Sequence, residues 1–531
     1  MKSFQKLPAK NTASTSSYSD LESENILLKI TVDSLQKEKS SFVSQIEILQ
    51  HNLAILQRAM FGRKSEKSIE ENIEQLSLLF DEAEAGAEPQ ADMDFGDEED
   101  DEPDVSPKTD KKRGRRKLPD NLPRKQIIHD LPESQKICPC GCALTKIGED
   151  KSEQLDFIPA TLQIIEHIRL KYACKSCEDT ILRAPVPIKP LSKANATSGF
   201  LAHLIVSKFE DHLPLYRQSM IMQRHGIDIS RGTLCNWMIA CGKSLEPLIE
   251  FMKRDIVASD YVCSDETTVN VLDSKGSKSY MWVHMSGERK NRAIVFDYQP
   301  NRAGECATTF LAGFKGAHQC DAYSGYNKLH KKKGVFCVAC WAHARRKFFE
   351  ITKITKTPGL AHEIVKLIQK LYKVEREVLD RQLQPLQIKA LRQDKSAPIL
   401  TAIKKLLDSY KDKVPPKSPL GKAIGYCLNN WADLNAYLQD GRIRIDNNDC
   451  ERTIRPFAIG RKNWLFSSST NGAKASATLY SIIATCKANN INTYDYLRHV
   501  LTAVKSATTA AELSKLLPYN VDKTLFAIQN T

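Results

Sequence analysis

Residues 261–273 read YVCSDETTVNVLD, and the core of the fold follows from this run. Val, Thr and Tyr dominate it, which predicts a β-strand. Two similar runs follow, SYMWVHMSG (279–287) and AIVFDYQP (293–300), set apart by Gly, Lys, Ser and Asn turn residues. A helical stretch, GECATTFLAGF (304–314), precedes a fourth strand, GAHQCDAYSGY (316–326). A fifth, VFCVACW (335–341), leads into a helix, AHARRKFFEITK (342–353). Three strands in hairpin order, then alternating helix and strand, describe an RNase H-like α/β core with a mixed sheet, its first part spanning 256–350.

Two acids fall where such a sheet gathers chemistry. Asp265 is central on the first strand and Asp321 ends the fourth, and those strands are neighbours in this topology. Paired carboxylates are hard oxygen ligands suited to Mg²⁺. Two such ions, about 3.5–4 Å apart, can clamp the attacking and leaving oxygens of an in-line phosphoryl displacement. The third acid is sought in RIRIDNNDCERTIRPFAI (442–459), where Glu451 is expected on a helix with Arg452 and Arg455 nearby for phosphate contact. The rivals are Glu266, Asp297 and Asp446. Strand alternation lets only one of Asp265 and Glu266 face the site. Residues 351–440 are mostly helical and Lys-rich, an insertion before the second part of the core (441–500). A helical tail (501–531) follows. Cys337, Cys340 and His343 form C-x2-C-x2-H, but no fourth ligand accompanies them. A packed strand-to-helix junction is favoured there, with His343, Arg345 and Arg346 turned to DNA phosphates.

Upstream, residues 197–223, through FLAHLIVSKFEDHLPLYRQSMIMQ, are helical in pattern. Gly226 marks a turn, and Ser230 is a good N-cap for SRGTLCNWMIACGKSL. This describes a helix-turn-helix-like DNA-binding region over 191–255, with Arg231, Thr233 and Asn236 as candidate contacts. Before it, ICPCGCA (137–143) and KYACKSCE (171–178) offer two cysteine knuckles for tetrahedral Zn²⁺. Cys174 and Cys177 supply one. Cys138 with either Cys140 or Cys142 supplies the other. The apolar–polar alternation between them suits a zinc-ribbon-like domain over 126–190. With four protein ligands this ion would be structural.

Residues 81–104 carry 13 acidic and no basic side chains, and 108–117 carry seven basic and one acidic. Neither can bury a core, so 81–125 reads as a disordered linker. Arg113, Arg115 and Arg116 within it suit a minor-groove arm. At the N-terminus Leu21, Leu28, Leu35, Phe42, Leu49 and Leu56 recur every seventh residue, with Asn25, Val32, Lys39, Ile46 and Leu53 four further on. This is a leucine-zipper-like coiled coil over 18–60, roughly 54 Å long between 21 and 56, and it predicts a homo-oligomer.

The chain has 531 residues with a net charge of +13, from 77 basic and 64 acidic side chains. That excess favours a polyanionic partner, DNA being the simplest. No run of 18 apolar residues occurs, so no membrane span is expected. The start, MKSFQKLPAKNTASTSS, lacks the apolar stretch of a secretory signal. The 15 cysteines, an odd number, read as reduced thiols of a cytoplasmic, nucleoid-associated protein rather than a disulfide framework.

Taken together, FGRKSEK (61–67), IGEDKSEQLDFIPA, KYACKSCE, SKFEDHLPLYRQ, SDETTV, CDAYSGYN, CWAHARRKFF and DNNDCERTIRPFAIGRKNWLF make the chain resemble the insertion-sequence 66 family of transposases. The resemblance runs from 61 to about 500. It implies a DDE triad, carried by motif onto Asp265, Asp321 and Glu451, with Mg²⁺ or Mn²⁺ as catalytic ion. It also implies accessory proteins encoded by the same element. ICPCGC departs from the C-x2-C of many members, so the choice between Cys140 and Cys142 stays open. The competing expectation is a catalytically inactive DNA-binding regulator derived from such an enzyme.

Overall fold

A computed structural model describes residues 31, 32, 35, 162–173, 181–274, 278–288, 290–354 and 358–526. These residues form two compact units. One comprises the described residues before Gln75, Lys253–Asn270 and Ser274–Arg455; the other comprises the described residues from 162 to Met252, Val271–Asp273 and residues from Pro456 on.

The first unit is built on five strands, β3 (Tyr261–Val269), β4 (Ser279–Ser286), β5 (Ile294–Gln299), β6 (Gly316–Cys320) and β7 (Val335–Ala339). Their spatial order is β5-β4-β3-β6-β7. The first three pair antiparallel, while β6 runs parallel to both β3 and β7. The sheet is therefore mixed, with β3 at its centre. Parallel neighbours need crossovers. Helix α4 (Gly304–Phe310) supplies the first, and a short helix at Asn327–His330 the second. The α4 crossover packs tightly: a Cβ added at Gly304 would lie 2.2 Å from the Gly325 carbonyl.

Helix α5 (Trp341–Thr352) follows β7. A helical block then intervenes, with α6 (Leu360–Asp380), α7 (Ala397–Tyr410) and α8 (Pro419–Asn429) as its longest members. The apolar face of α6, including Ile364, Ile368 and Leu371, is buried. Buried Arg392 fastens the chain as it returns towards the sheet. Its guanidinium holds Glu375 at two points and donates to the carbonyls of Tyr437 and Ile443. Helix α9 (Asn448–Trp464) begins directly after this return.

The second unit holds a small hairpin, β1 (Lys171–Ala173) with β2 (Ile181–Arg183), whose connection carries Cys174 and Cys177 in sequence. It also holds α1 (Ser198–Phe209), α2 (Leu215–Arg224), most of α3 (Arg231–Ala258), α10 (Thr470–Ala488) and α11 (Thr493–Ser506). The helical run expected over 197–223 is interrupted. His212 takes φ 58° and Pro214 is an extended N-cap, so the chain cannot continue through both as one helix. After α2 the turn uses Gly226 at φ 78°, and the Ser230 hydroxyl accepts from the Thr233 amide, the N-cap read in the sequence. The helix that follows extends to Ala258, beyond the stretch anticipated, despite Pro247 within it. Of the heptad stretch, Thr31, Val32 and Leu35 are described; they are helical, with exposed side chains. The rest of it, the acidic and basic linker, and Cys138, Cys140, Cys142, Cys174 and Cys177 lie outside the described residues, as do Arg113, Arg115 and Arg116.

Candidate active site: a carboxylate cluster at the centre of the sheet

Strand β6 pairs with β3 over Tyr261–Cys263, the last partners being Cys263 and Gln319. Two residues further along each strand lie Asp265 and Asp321. The parallel register thus brings to one level two acids that are remote in sequence. Asp321 sits just past the end of β6, where its Oδ1 accepts from the Tyr323 amide at 2.9 Å. Ala322 then takes φ 64°, a left-handed conformation unfavourable for a residue with a Cβ, and the chain turns sharply away.

Glu451 comes from the first turn of α9. Two buried side chains fix that turn against the sheet. Asn447 Nδ2 donates to the Ser264 carbonyl at 3.0 Å, and Gln319 Nε2 donates to the Arg444 carbonyl at 2.9 Å. The Asn447 amide also donates to Cys340 Sγ at 3.2 Å. The turn that carries Glu451 is therefore fixed against β3 and β6 through these anchors rather than through the Glu451 side chain. Burial pushes the Asp265 carboxyl well above the usual range, and the charges of Glu266, Glu451 and Asp321 push it further. These carboxylates are thus close enough to feel one another.

Alternation along β3 separates Asp265 from Glu266. Ser264 pairs with His284 and Glu266 with Trp282, whereas Asp265 pairs with Val283. Glu266 is held on the face opposite to Asp265. Its Oε1 accepts from Arg302 at 2.6 and 2.8 Å, and its Oε2 from the Tyr326 hydroxyl at 2.7 Å. Burial and Asp321 raise its pKa, against the pull of Arg302. The other rivals are also tied up. Asp446 accepts from Tyr372 and Asn448, and Asp297 from Gln299.

Glu451 itself has different neighbours. His343 Nδ1 lies 3.5 Å from its Oε1, and Arg346 Nη2 lies 3.7 Å from its Oε2. Both residues come from α5. Neither Glu451 Oε1 nor His343 Nδ1, though buried, has a hydrogen-bond partner among the described residues. A buried carboxylate oxygen with no hydrogen-bond partner, whose charge also raises the Asp265 carboxyl, is a hard donor of the kind a divalent cation takes. Cys340 Sγ, His343 and Glu451 also offer ligand atoms within 4.8 Å of one another. The C-x2-C-x2-H run accordingly divides. Cys340 and His343 go with Glu451, while Cys337 stands on β7 opposite His318 of β6.

The remaining expected contacts are spread more widely. Arg345 lies over the Phe349 ring at 4.9 Å. Arg452 is exposed and pairs with Asp449; Arg455 is half-buried. Arg231 and Asn236 are exposed on α3, and the Thr233 hydroxyl is engaged with Ser230. Asp449, not singled out in the sequence, sits among Arg292, Arg444 and Arg452. Burial alone would raise it, but the three guanidiniums hold its carboxyl far below the usual range. Asn447 is the other residue that the sequence left unmarked, although it stands in the same DNNDCER run.

The sequence as a whole also matches known families. Residues 193–475 match the profile described as "Transposase IS66 family". Residues 135–178 match "zinc-finger binding domain of transposase IS66", 48–127 match "Transposase C of IS166 homeodomain", and 481–519 match "IS66 C-terminal element". The chain belongs to the IS66 transposase family. Among curated relatives, the uncharacterized protein y4jD of Sinorhizobium fredii (strain NBRC 101917 / NGR234) is 36% identical over 418 residues, which cover 76% of this chain and 81% of that one. Uncharacterized protein y4qI of the same organism is 32% identical over 503 residues, covering 92% and 91%. Among the described residues, no helix is long and apolar enough to cross a membrane.

Proposed function

We propose that this chain is a DDE transposase that cuts DNA at the ends of an insertion sequence and joins those ends to a target. The observation that carries the proposal is the placement of Asp265 on β3, Asp321 just past β6 at the same level, and Glu451 in the first turn of the helix anchored to β3, with the charges of Glu451 and Asp321 raising the Asp265 carboxyl. The β5-β4-β3-β6-β7 order supports an RNase H-like core for it. Asp265, Asp321 and Glu451 would hold the divalent ions, Mg²⁺ or Mn²⁺. When bound, such ions supply Lewis-acid stabilisation of the attacking and leaving oxygens.

The protein's own contribution is positional. Three carboxylates on rigid elements fix where the scissile phosphate must lie. His343 and Arg346, beside Glu451, orient that carboxylate and offer N–H donors to phosphate oxygens. In the first step a water oxygen bonds to phosphorus and the 3′-oxygen leaves as a hydroxyl. In the second, that 3′-hydroxyl bonds to a target phosphorus and displaces the target's own 3′-oxygen. Each is an in-line displacement, so one site serves both, and no covalent protein–DNA adduct forms. Trapping a phosphotyrosyl or phosphoseryl adduct would contradict this.

Around this core the reading extends to DNA-binding and assembly parts. Arg231 and Asn236 on α3, and Arg113, Arg115 and Arg116 in the basic segment, serve as DNA contacts, with Arg345, Arg452 and Arg455 nearer the site. Cys174 and Cys177, with Cys138 and Cys140 or Cys142, hold a structural Zn²⁺. The heptads of 18–60 pair two or more copies, and accessory proteins of the element complete the assembly. The test is a labelled element end incubated with Mg²⁺, with cleavage and joining scored separately. Asp265→Asn, Asp321→Asn and Glu451→Gln should each abolish both while DNA binding survives. Binding without cleavage by the unaltered chain would leave a DNA-binding regulator. Cleavage without joining would leave a nuclease.

A further inference from the structure

On the sheet face turned away from Asp265, three nitrogen and sulfur donors converge, with a fourth beside them on the neighbouring strand. His318 and Cys320 lie two residues apart on β6 and so share a face. The register pairs His318 directly with Cys337 on β7, which places Cys337 on that same face. The short helix Asn327–His330, in the crossover between these strands, brings His330 over them. His318 Nδ1 and His330 Nε2 are 2.9 Å apart, and ligand atoms of His318, Cys320 and His330 all lie within 4.8 Å of one another.

We propose that His318, Cys320, His330 and Cys337 form a second metal site, a tetrahedral Cys2His2 centre for Zn²⁺ or a divalent ion of similar softness. Two thiolates and two imidazoles are the donor set of structural zinc; the separations under 5 Å among His318, Cys320 and His330 are what a central ion about 2.0–2.3 Å from each requires, and Cys337, paired with His318 on the same face, is the fourth donor within reach of a small shift. The support behind the ligands has the expected form. A metal-bound imidazole usually gives its second ring nitrogen to a hydrogen-bond partner. Here His318 Nε2 is 2.9 Å from Ser264 Oγ, which is in turn 2.7 Å from His284 Nδ1. Access is also provided: His318 and Cys320 are buried, but His330 and Cys337 are only half-buried, so an ion can enter from that side. The ion would clip β6 to β7 and to the helix between them. The site stands whether or not Asp321, the next residue after Cys320, is catalytic.

The test is metal content. The full chain, produced with Zn²⁺ and washed with a weak chelator, is compared with Cys337→Ser and His330→Gln by elemental mass spectrometry. Each variant should hold one ion per chain fewer than the unaltered protein, whatever the occupancy of the N-terminal cysteine knuckles. In the Co²⁺-loaded protein, the same variants should lose part of the thiolate-to-cobalt charge-transfer absorption. Equal metal content in all three proteins overturns the site. So does a Cys320–Cys337 disulfide in the freshly purified chain, seen as a mass lower by two hydrogens. His330→Gln, which alters a half-buried side chain, decides the matter if Cys337→Ser does not fold.

Discussion

The side-chain amide of Asn447 donates to the backbone carbonyl of Ser264, and these two residues stand four positions before Glu451 and one before Asp265. One buried hydrogen bond thus sets the spacing between the helix-borne acid and the strand-borne acid. Its loss should harm geometry more than binding. Asn447→Ala leaves a buried carbonyl unsatisfied and should cost about 1–3 kcal/mol in denaturant unfolding. End cleavage should fall at least about tenfold, since small displacements in a preorganised site are expensive. DNA affinity should stay unchanged. Full cleavage activity in this variant would show that the anchor does not position Glu451.

The two neighbouring acids of β3 should behave unequally. Asp265→Asn is expected to abolish cleavage. Glu266→Gln should retain it within about tenfold but lose about 1–3 kcal/mol of stability, because Arg302 keeps its charge and loses its partner. Cleavage assays with both variants decide the point. The reverse ranking would move the site to the other face of the sheet.

The raised pKa of Asp265 makes a statement about stability as well as chemistry. Without a cation, folding favours its protonated form. Above about pH 4, where an unfolded aspartate is ionised, stability is therefore lost progressively as pH rises through the folded value. Asp265→Asn should remove that loss and raise the melting temperature of the metal-free protein at pH 8 by about 2–4 °C. Mg²⁺ should raise the melting temperature of the unaltered chain and leave the variant nearly where it was. Calorimetry with and without Mg²⁺ provides the comparison.

Asp449 carries the opposite sign. Three arginines depress its pKa, so its contribution is complete above about pH 4 and is lost as pH falls through the folded value. Asp449→Asn should cost about 2–3 kcal/mol near neutrality, since Arg292 and Arg444 are largely buried and would lose their counter-charge. It should also flatten the acid limb of the stability profile. Urea unfolding at pH 3, 5 and 7 measures both effects.

Local patterns in the sequence carried the strands well. The β-branched and aromatic runs at 261, 279 and 293 became β3, β4 and β5, and the Ser230 cap became the start of α3. That Asp265 and Asp321 fall at one level was legible, because the strand pattern and a parallel pairing together imply it. What stayed hidden was contact at long range. Nothing local marks Asn447 as the partner of a backbone carbonyl on β3, or Arg292 as the partner of Asp449. The division of Cys337 from Cys340 was equally invisible, since C-x2-C-x2-H reads as one motif until strand β7 ends between its cysteines. The break at His212 was masked by apolar residues that keep helical spacing on both sides of it.

Arg392 has a consequence for anyone who would shorten this protein. The helical block looks dispensable, because the sheet closes without it. Yet the strap leading back to Glu451 is tethered to that block by the Arg392 guanidinium, which grips Glu375 and three peptide carbonyls, and by the Tyr372 hydroxyl on Asp446. A trimmed variant lacking 360–440 would keep a sheet and two of its acids but lose the fixture that delivers the last one. The bulk between α5 and α9 is therefore a jig for assembly, and engineering a smaller version means rebuilding that tether first.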